Sequence, residues 1–123
     1  MREICKSGSV GAPGEQSPGA TRHETALDVI RLLKPVIAEI RRHDPDLADQ
    51  LKRASNGVAL CIAEGSYSRG RNRHSLYHRA LGSAKESGSC LDAALACAYI
   101  DRVDPRIRAA LSSICAVLYS IVT

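Results

Sequence analysis

The chain has 123 residues, a length that predicts one domain and not two. Seventeen Lys and Arg against thirteen Asp and Glu leave a net charge of +4, too mild by itself to name a partner. With no Trp, no Phe and four Tyr, the core has to come from Leu, Ile, Val, Ala and Cys, which suits closely packed helices and argues against a β-sandwich.

Residues 7–20, SGSVGAPGEQSPGA, hold four glycines and two prolines and almost nothing to bury, so residues 1–20 read as a disordered tail. No apolar run of signal-peptide type precedes it. Thr21-Arg22-His23-Glu24 has the form of a capping box. A first helix is expected from about 24 to 43, with Leu27, Ile30, Leu33, Ile37 and Ile40 at steps of three and four. Pro35 lies inside it, removes one backbone donor and predicts a kink.

Asp44-Pro45 is a cap followed by a helix-starting proline, opening a second helix over about 46–64. Its stripe is Leu47, Leu51, Ala54, Val58 and Cys61, broadened by Ile62, and Gly65 is placed to stop it. Ser66 to Arg73, SYSRGRNR, reads as a polar, basic loop. A third helix is expected over about 74–100, with Leu81, Ala84, Gly88, Leu91, Leu95 and Ala98 on its seam. Gly82, Ser83, Ser87, Gly88 and Ser89 lower its propensity and permit close helix approach. Asp104-Pro105 repeats the cap-and-proline start for a fourth helix over about 105–122, carrying Ile107, Leu111, Ile114, Leu118 and Ile121 or Val122.

Four apolar stripes joined by short breaks predict an all-α protein, an antiparallel up-down-up-down four-helix bundle. After Arg108 the fourth helix has no charged residue, and an isolated bundle needs only one apolar stripe per helix, so self-association is expected. The uncharged run from Ala109 to Thr123 falls short of the roughly 20 residues that cross a bilayer, and no membrane association is expected. The odd set Cys5, Cys61, Cys90, Cys97 and Cys115 contains no Cys-x-x-Cys pair. Four of the five fall on apolar faces, which fits core filler in a reducing cytoplasm.

The charge is uneven. Lys52, Arg53, Arg69, Arg71, Arg73, Arg79 and Lys85 occupy a window in which Glu64 is the acid, so the rest of the chain is nearly balanced. A clustered positive field attracts phosphates, and Tyr67 beside Arg69 offers a stacking surface for an unpaired base. Lys52, Arg53, Arg69, Arg71, Arg73 and Arg79 are therefore the expected nucleic-acid contacts, with RNA the expected ligand. An acidic protein partner would seek the same surface, so an adaptor or structural assembly protein is the competing reading. Glu64 and Glu86 read as structural carboxylates, making hydrogen bonds or ion pairs near Arg53 or Arg79.

Enzyme chemistry has little to stand on. His74 and His78 have a metal-compatible spacing without further ligands. No phosphate-binding Gly loop, nucleophile elbow or Cys–His pair is recognisable. No catalytic residue, metal or cofactor is expected.

Two passages carry a family resemblance. Lys52-Arg53-Ala54 followed by Ile62-Ala63-Glu64-Gly65 resembles an Arg-Arg-Ala…Asn-Ile-Ala-Glu-Gly signature, and Ala80-Leu81-Gly82-Ser83 with Glu86 resembles an Ala-Leu-Gly-Ser-x-x-Glu passage. Both belong to a bacterial four-helix-bundle family encoded in intervening sequences of large-subunit ribosomal RNA genes. That family is similar to the accessory variability determinant of diversity-generating retroelements. The likeness covers residues 24–122 in layout and 52–86 in motif. Cys61, Ala59 and Gly57 stand where the family has Asn, Pro and Ser, and its helix-3 aromatics are reduced to Tyr77. The resemblance implies a homopentameric barrel with a basic surface and no catalytic activity, which in retroelements works with a reverse transcriptase and its RNA.

Overall fold

The structure, a computed structural model, describes residues 18–123, with side chains from Arg22 onward. Its elements are α1 (Pro18–Arg41), α2 (Pro45–Tyr67), α3 (Gly70–Ala96) and α4 (Pro105–Val122), with no strand among the described residues. The protein is all-α. Residues 1–17 of the expected tail lie outside the described residues. Residues 18–20 already belong to α1, because Pro18 suits the first helical position and nothing after Gly19 breaks the turn. Thr21 is therefore inside the helix and does not cap it.

α2 and α4 begin as their sequences predict. Asp44 accepts the Leu47 N–H at 3.0 Å ahead of Pro45, and Asp104 accepts the Arg106 N–H at 2.8 Å ahead of Pro105. Both satisfy donors that a helix start leaves free. α1 runs unbroken through Pro35, whose exposed position leaves the carbonyl it cannot serve on the solvent side.

Consecutive helices pack on one another and α1 also meets α4, so the four share one core. The α2 stripe is buried at Leu51, Ala54, Val58, Cys61 and Ile62, and the α4 stripe at Ile107, Leu111, Ile114 and Leu118. On α1 the deepest line is Ala26, Val29, Leu33 and Ile40; Leu27, Ile30 and Ile37 are half-buried beside it. α3 departs furthest from expectation. It buries Leu76, Tyr77, Ala80, Leu81, Ala84, Ser87, Cys90, Leu91 and Ala94, whereas Gly88 and Leu95 are half-exposed and Ala98 lies outside the helix. The buried Ser87 and Ser55 hydroxyls donate to the carbonyls of Ser83 and Lys52, so neither is left unsatisfied.

The third helix ends at Ala96, four residues early. Tyr99 N–H reaches the Ala94 carbonyl and Ala98 N–H the Leu95 carbonyl, the paired bonds of a Schellman ending, with Ala98 left-handed at φ 62°. Tyr99 then anchors the following loop by stacking on His43 at 5.3 Å and donating to Asp44 at 3.4 Å. Cys97, expected on an apolar face, falls in this turn and is exposed.

α4 is, by length and composition alone, apolar enough to cross a membrane, with a mean hydropathy of 1.3. Its four buried aliphatics are docked on the common core. α4 also carries exposed Tyr119 and, in its last turn, Ile121, and α2 exposes Leu60 and Tyr67.

Candidate nucleic-acid interface

The expected basic loop is almost all helix. α2 continues through Gly65 to Tyr67, α3 begins at Gly70, and only Ser68 and Arg69 connect them. Ser68 closes α2 by donating its N–H to the Gly65 carbonyl and its hydroxyl to the Glu64 carbonyl. Gly70 takes the positive φ of 60° that lets the chain reverse so tightly. Gly65 is thus no stop signal. It is a flat spot on α2 against which the ring of Tyr77 lies, with no room for a Cβ.

This geometry puts Arg71 and Arg73 in the first turn of α3 and Arg69 at its N-cap position, all three exposed. Arg79 follows on the same helix, also exposed, close enough to Cys61 of α2 for its charge to bear on that thiol. The start of α3 differs in kind from those of α2 and α4. It has no side-chain cap, because arginine has no acceptor to offer, and, as in α4, no acid in its first turn makes up for it. The partial positive charge of a helix start therefore adds to three guanidinium groups. Asn72, the one amide there, donates its Nδ2 to Ser68 Oγ at 2.9 Å.

Ion pairing divides the arginines of the described residues. Arg31, Arg41, Arg42, Arg106 and Arg108 each sit on a carboxylate, at 2.6–3.2 Å. Arg22, Arg53, Arg69, Arg71, Arg73, Arg79 and Arg102 make no salt bridge among the described residues, and neither do Lys34, Lys52 and Lys85. Of these, Arg69 and the first-turn residues Arg71 and Arg73 lie at the α2–α3 turn, while Arg79 stands more than two turns further along α3. Lys52 and Arg53, exposed on α2, stand about 20 Å along the helix from that turn. There they act with Arg41 in holding the Asp49 carboxyl below its ordinary range, the Arg41 hydrogen bond being the largest cause.

Glu86 accepts from Gln50 at 3.4 Å and forms no ion pair with Arg53 or Arg79, and Glu64 is exposed without one. His74 Nε2 is 3.0 Å from the Val122 carbonyl, tying α3 to the end of α4. No group of three His, Cys, Asp or Glu side chains able to hold a metal occurs among the described residues. A groove of about 390 Å³ between α1 and α4 is lined by Arg31, Arg106, Asp28 and Leu32, but both arginines there are engaged with aspartates.

One residue of this region escapes the sequence pattern. Arg22 of α1 is only 8 % exposed, with its guanidinium 5.2 Å from the centre of the Tyr77 ring. Arg73 lies 5.7 Å from the same ring. The signal was present in the spacing, since Arg22 precedes Ala26, Val29 and Leu33 on the buried line, but the capping-box reading of Thr21–Glu24 hid it.

The sequence model of the 23S rRNA-intervening sequence proteins matches residues 21–120. Among solved structures, the chain is similar to a protein of unknown function from the S23 ribosomal protein family of Bacteroides thetaiotaomicron, at 16 % identity and a TM-score of 0.70, covering 83 % of this chain and 98 % of that one. At that identity the likeness speaks for the fold alone. No curated protein matches the chain.

Proposed function

The chain belongs to the 23S rRNA-intervening sequence protein family, and from that premise we propose that it is a non-enzymatic, RNA-binding accessory protein acting as a homo-oligomer. The observation that carries the RNA-binding reading is the division of the arginines. Those on α1 and α4 from Arg31 onward rest on carboxylates, whereas Arg69, Arg71 and Arg73 at the start of α3, and Arg79 further along it, face solvent with no carboxylate paired to them among the described residues. Three unneutralised guanidiniums at a positive dipole end, with Arg79 further along the helix, suit a phosphate backbone, and Tyr67, 75 % exposed beside the turn, suits a stacked base of a single strand. Lys52 and Arg53 would extend the track along α2.

The oligomer is supported by apolar surface that one copy leaves open: Leu60 and Tyr67 on α2, Tyr119 and Ile121 on α4. An antiparallel arrangement is favoured by contacts at the helix ends. His43 and Asp44 meet Tyr99 at one end, and Arg22, Tyr77, His74 and Val122 gather at the other. Five subunits, a cytoplasmic setting and partnership with a reverse transcriptase are carried over from the resemblance to the retroelement accessory protein. The gene's neighbours test that partnership, with a reverse transcriptase gene and a template repeat the expected pair.

The direct test is electrophoretic mobility shift with single-stranded RNA, duplex RNA and DNA at two salt concentrations. Salt-sensitive retardation is expected. Changing Arg69, Arg71 and Arg73 together to Ala should weaken it and lower the slope of log K against log salt by about 2. Unchanged affinity in that variant removes this site. The competing reading, an adaptor docking on an acidic protein, draws on exposed Leu60 and Tyr67 beside the arginines, and absence of retardation at low salt would favour it.

A further inference from the structure

We propose that Arg22, together with Arg73, forms a phosphate-binding site built around Tyr77 where α1 meets the start of α3. The inference deepens the RNA-binding reading and rests on it for the source of the phosphate.

The site starts from an unmet demand. Arg22 is more than nine-tenths buried, and its Nε has no hydrogen-bond partner among the described residues. Its Nη2 donates only to the Tyr77 hydroxyl, at a long 3.4 Å. No acid among the described residues forms a salt bridge with it. A guanidinium keeps its charge wherever it sits, and burying one without an anion is costly. The face of an aromatic ring offsets part of that cost. Here the same ring also serves Arg73, so two like charges share a single weak partner. Arg73 in turn belongs to the uncapped first turn of α3, whose backbone N–H groups add further positive potential.

Tyr77 cannot move away to relieve the crowding. It is 1 % exposed and abuts Gly65, so the ring stays in place under the buried Arg22, while the exposed Arg73 side chain is free to adjust to an anion. The Nε edge of a guanidinium, with its neighbouring Nη, is the fork that takes two oxygens of one anion, and in Arg22 the Nε of that fork is the atom left unpaired. A phosphate group meets the demand by supplying both a negative charge and several acceptor oxygens.

The test compares thermal unfolding of the full chain and of Arg22→Met, Arg73→Met and Arg42→Met in sodium phosphate and in sodium chloride of equal ionic strength. Arg42 is an exposed arginine paired with Glu39 and serves as the control. Phosphate should raise the unfolding temperature of the parent and of Arg42→Met, with little effect on Arg22→Met and a reduced effect on Arg73→Met. In chloride, Arg22→Met should be at least as stable as the parent, because an apolar side chain replaces an uncompensated charge. A phosphate response that survives Arg22→Met, or is absent from the parent, overturns the site.

A second arm identifies the source, using a single-stranded oligoribonucleotide and the same bases on an uncharged backbone. Binding of the first alone, weakened about tenfold by Arg22→Met, assigns the site to a strand phosphate. If inorganic phosphate stabilises through Arg22 while neither strand binds, the site stands for a free phosphate and the RNA reading falls. If RNA binds through Arg69, Arg71 and Arg73 but Arg22→Met alters neither response, the RNA reading stands and this site falls.

Discussion

A Cβ built on Gly65 would lie 2.5 Å from Cε1 of Tyr77 and 2.8 Å from its Cδ1, closer than such atoms approach one another. The two residues therefore specify each other across the α2–α3 contact. Gly65→Ala gains helix propensity of up to about 1 kcal/mol, but it must displace a ring that has no free volume. The expected net effect is destabilisation by roughly 1–2 kcal/mol, measured as a lower denaturant midpoint. In a Tyr77→Leu background the same change should become neutral or stabilising, which a double-mutant cycle would detect. Gly82→Ala provides the contrast, since nothing lies within 4 Å of its added Cβ, and it should stabilise by about 0.5–1 kcal/mol.

The end of α3 predicts a gain. Ala98 is held left-handed at φ 62° in the position where glycine usually closes a Schellman ending, and it is exposed. Ala98→Gly removes the clash of the Cβ with its own backbone and should raise stability by about 0.5–1 kcal/mol. Ala98→Val should lower it. Equal unfolding midpoints for all three would show that this turn is not the conformation in solution.

Two carboxyls should report on acid. Asp49 is held below its ordinary 3.8 chiefly by its hydrogen bond from Arg41, and Asp104 by hydrogen bonds from the Arg106 side chain and backbone. A carboxyl lowered on folding stabilises the fold above its ordinary value and loses that contribution as the pH falls through the lowered one. Both effects therefore fade below about pH 4. Carboxyl NMR titration should show Asp49 returning toward its ordinary value in Arg41→Gln, with Asp104 unmoved.

Thiol chemistry should separate the cysteines of the described residues. Cys97 is exposed in the turn after α3, whereas burial pushes the Cys61 and Cys90 thiols upward and half-buried Cys115 likewise. Brief alkylation of the native protein, followed by peptide mass spectrometry, should find Cys97 modified first and Cys61 and Cys90 protected until unfolding. Equal labelling of Cys61 and Cys97 would contradict the helix packing described above.

The parts of the fold legible in sequence are those in which local chemistry decides the outcome. Asp44-Pro45 and Asp104-Pro105 start helices by satisfying their own backbone donors, and the large aliphatics of α2 and α4 leave little doubt which face is inward. α3 was harder to read because Ala, Gly and Ser give weak periodicity, and its register follows from what α2 presents to it. Thus Tyr77 settles against Gly65, and Leu95 and Ala98 leave the seam. The candidate site was legible as a set of charges. Its division into paired and unpaired arginines was not, because Asp49 and Asp92 neutralise Arg41 and Arg108 across helix boundaries, through geometry that spacing alone does not give. Arg22 was hidden for the same reason: burial of a charged residue is a tertiary event.

Two of the helices after α1 open on an aspartate of their own, and the one between them opens on arginine. The amide protons of Gly70, Arg71 and Asn72 therefore meet solvent, with no acceptor among the described residues, and their exchange with deuterated solvent becomes a local gauge of occupancy. Slowed exchange confined to those three amides, with α2 and α4 starts unaffected, would record an anion settling on this corner before any larger change in the molecule.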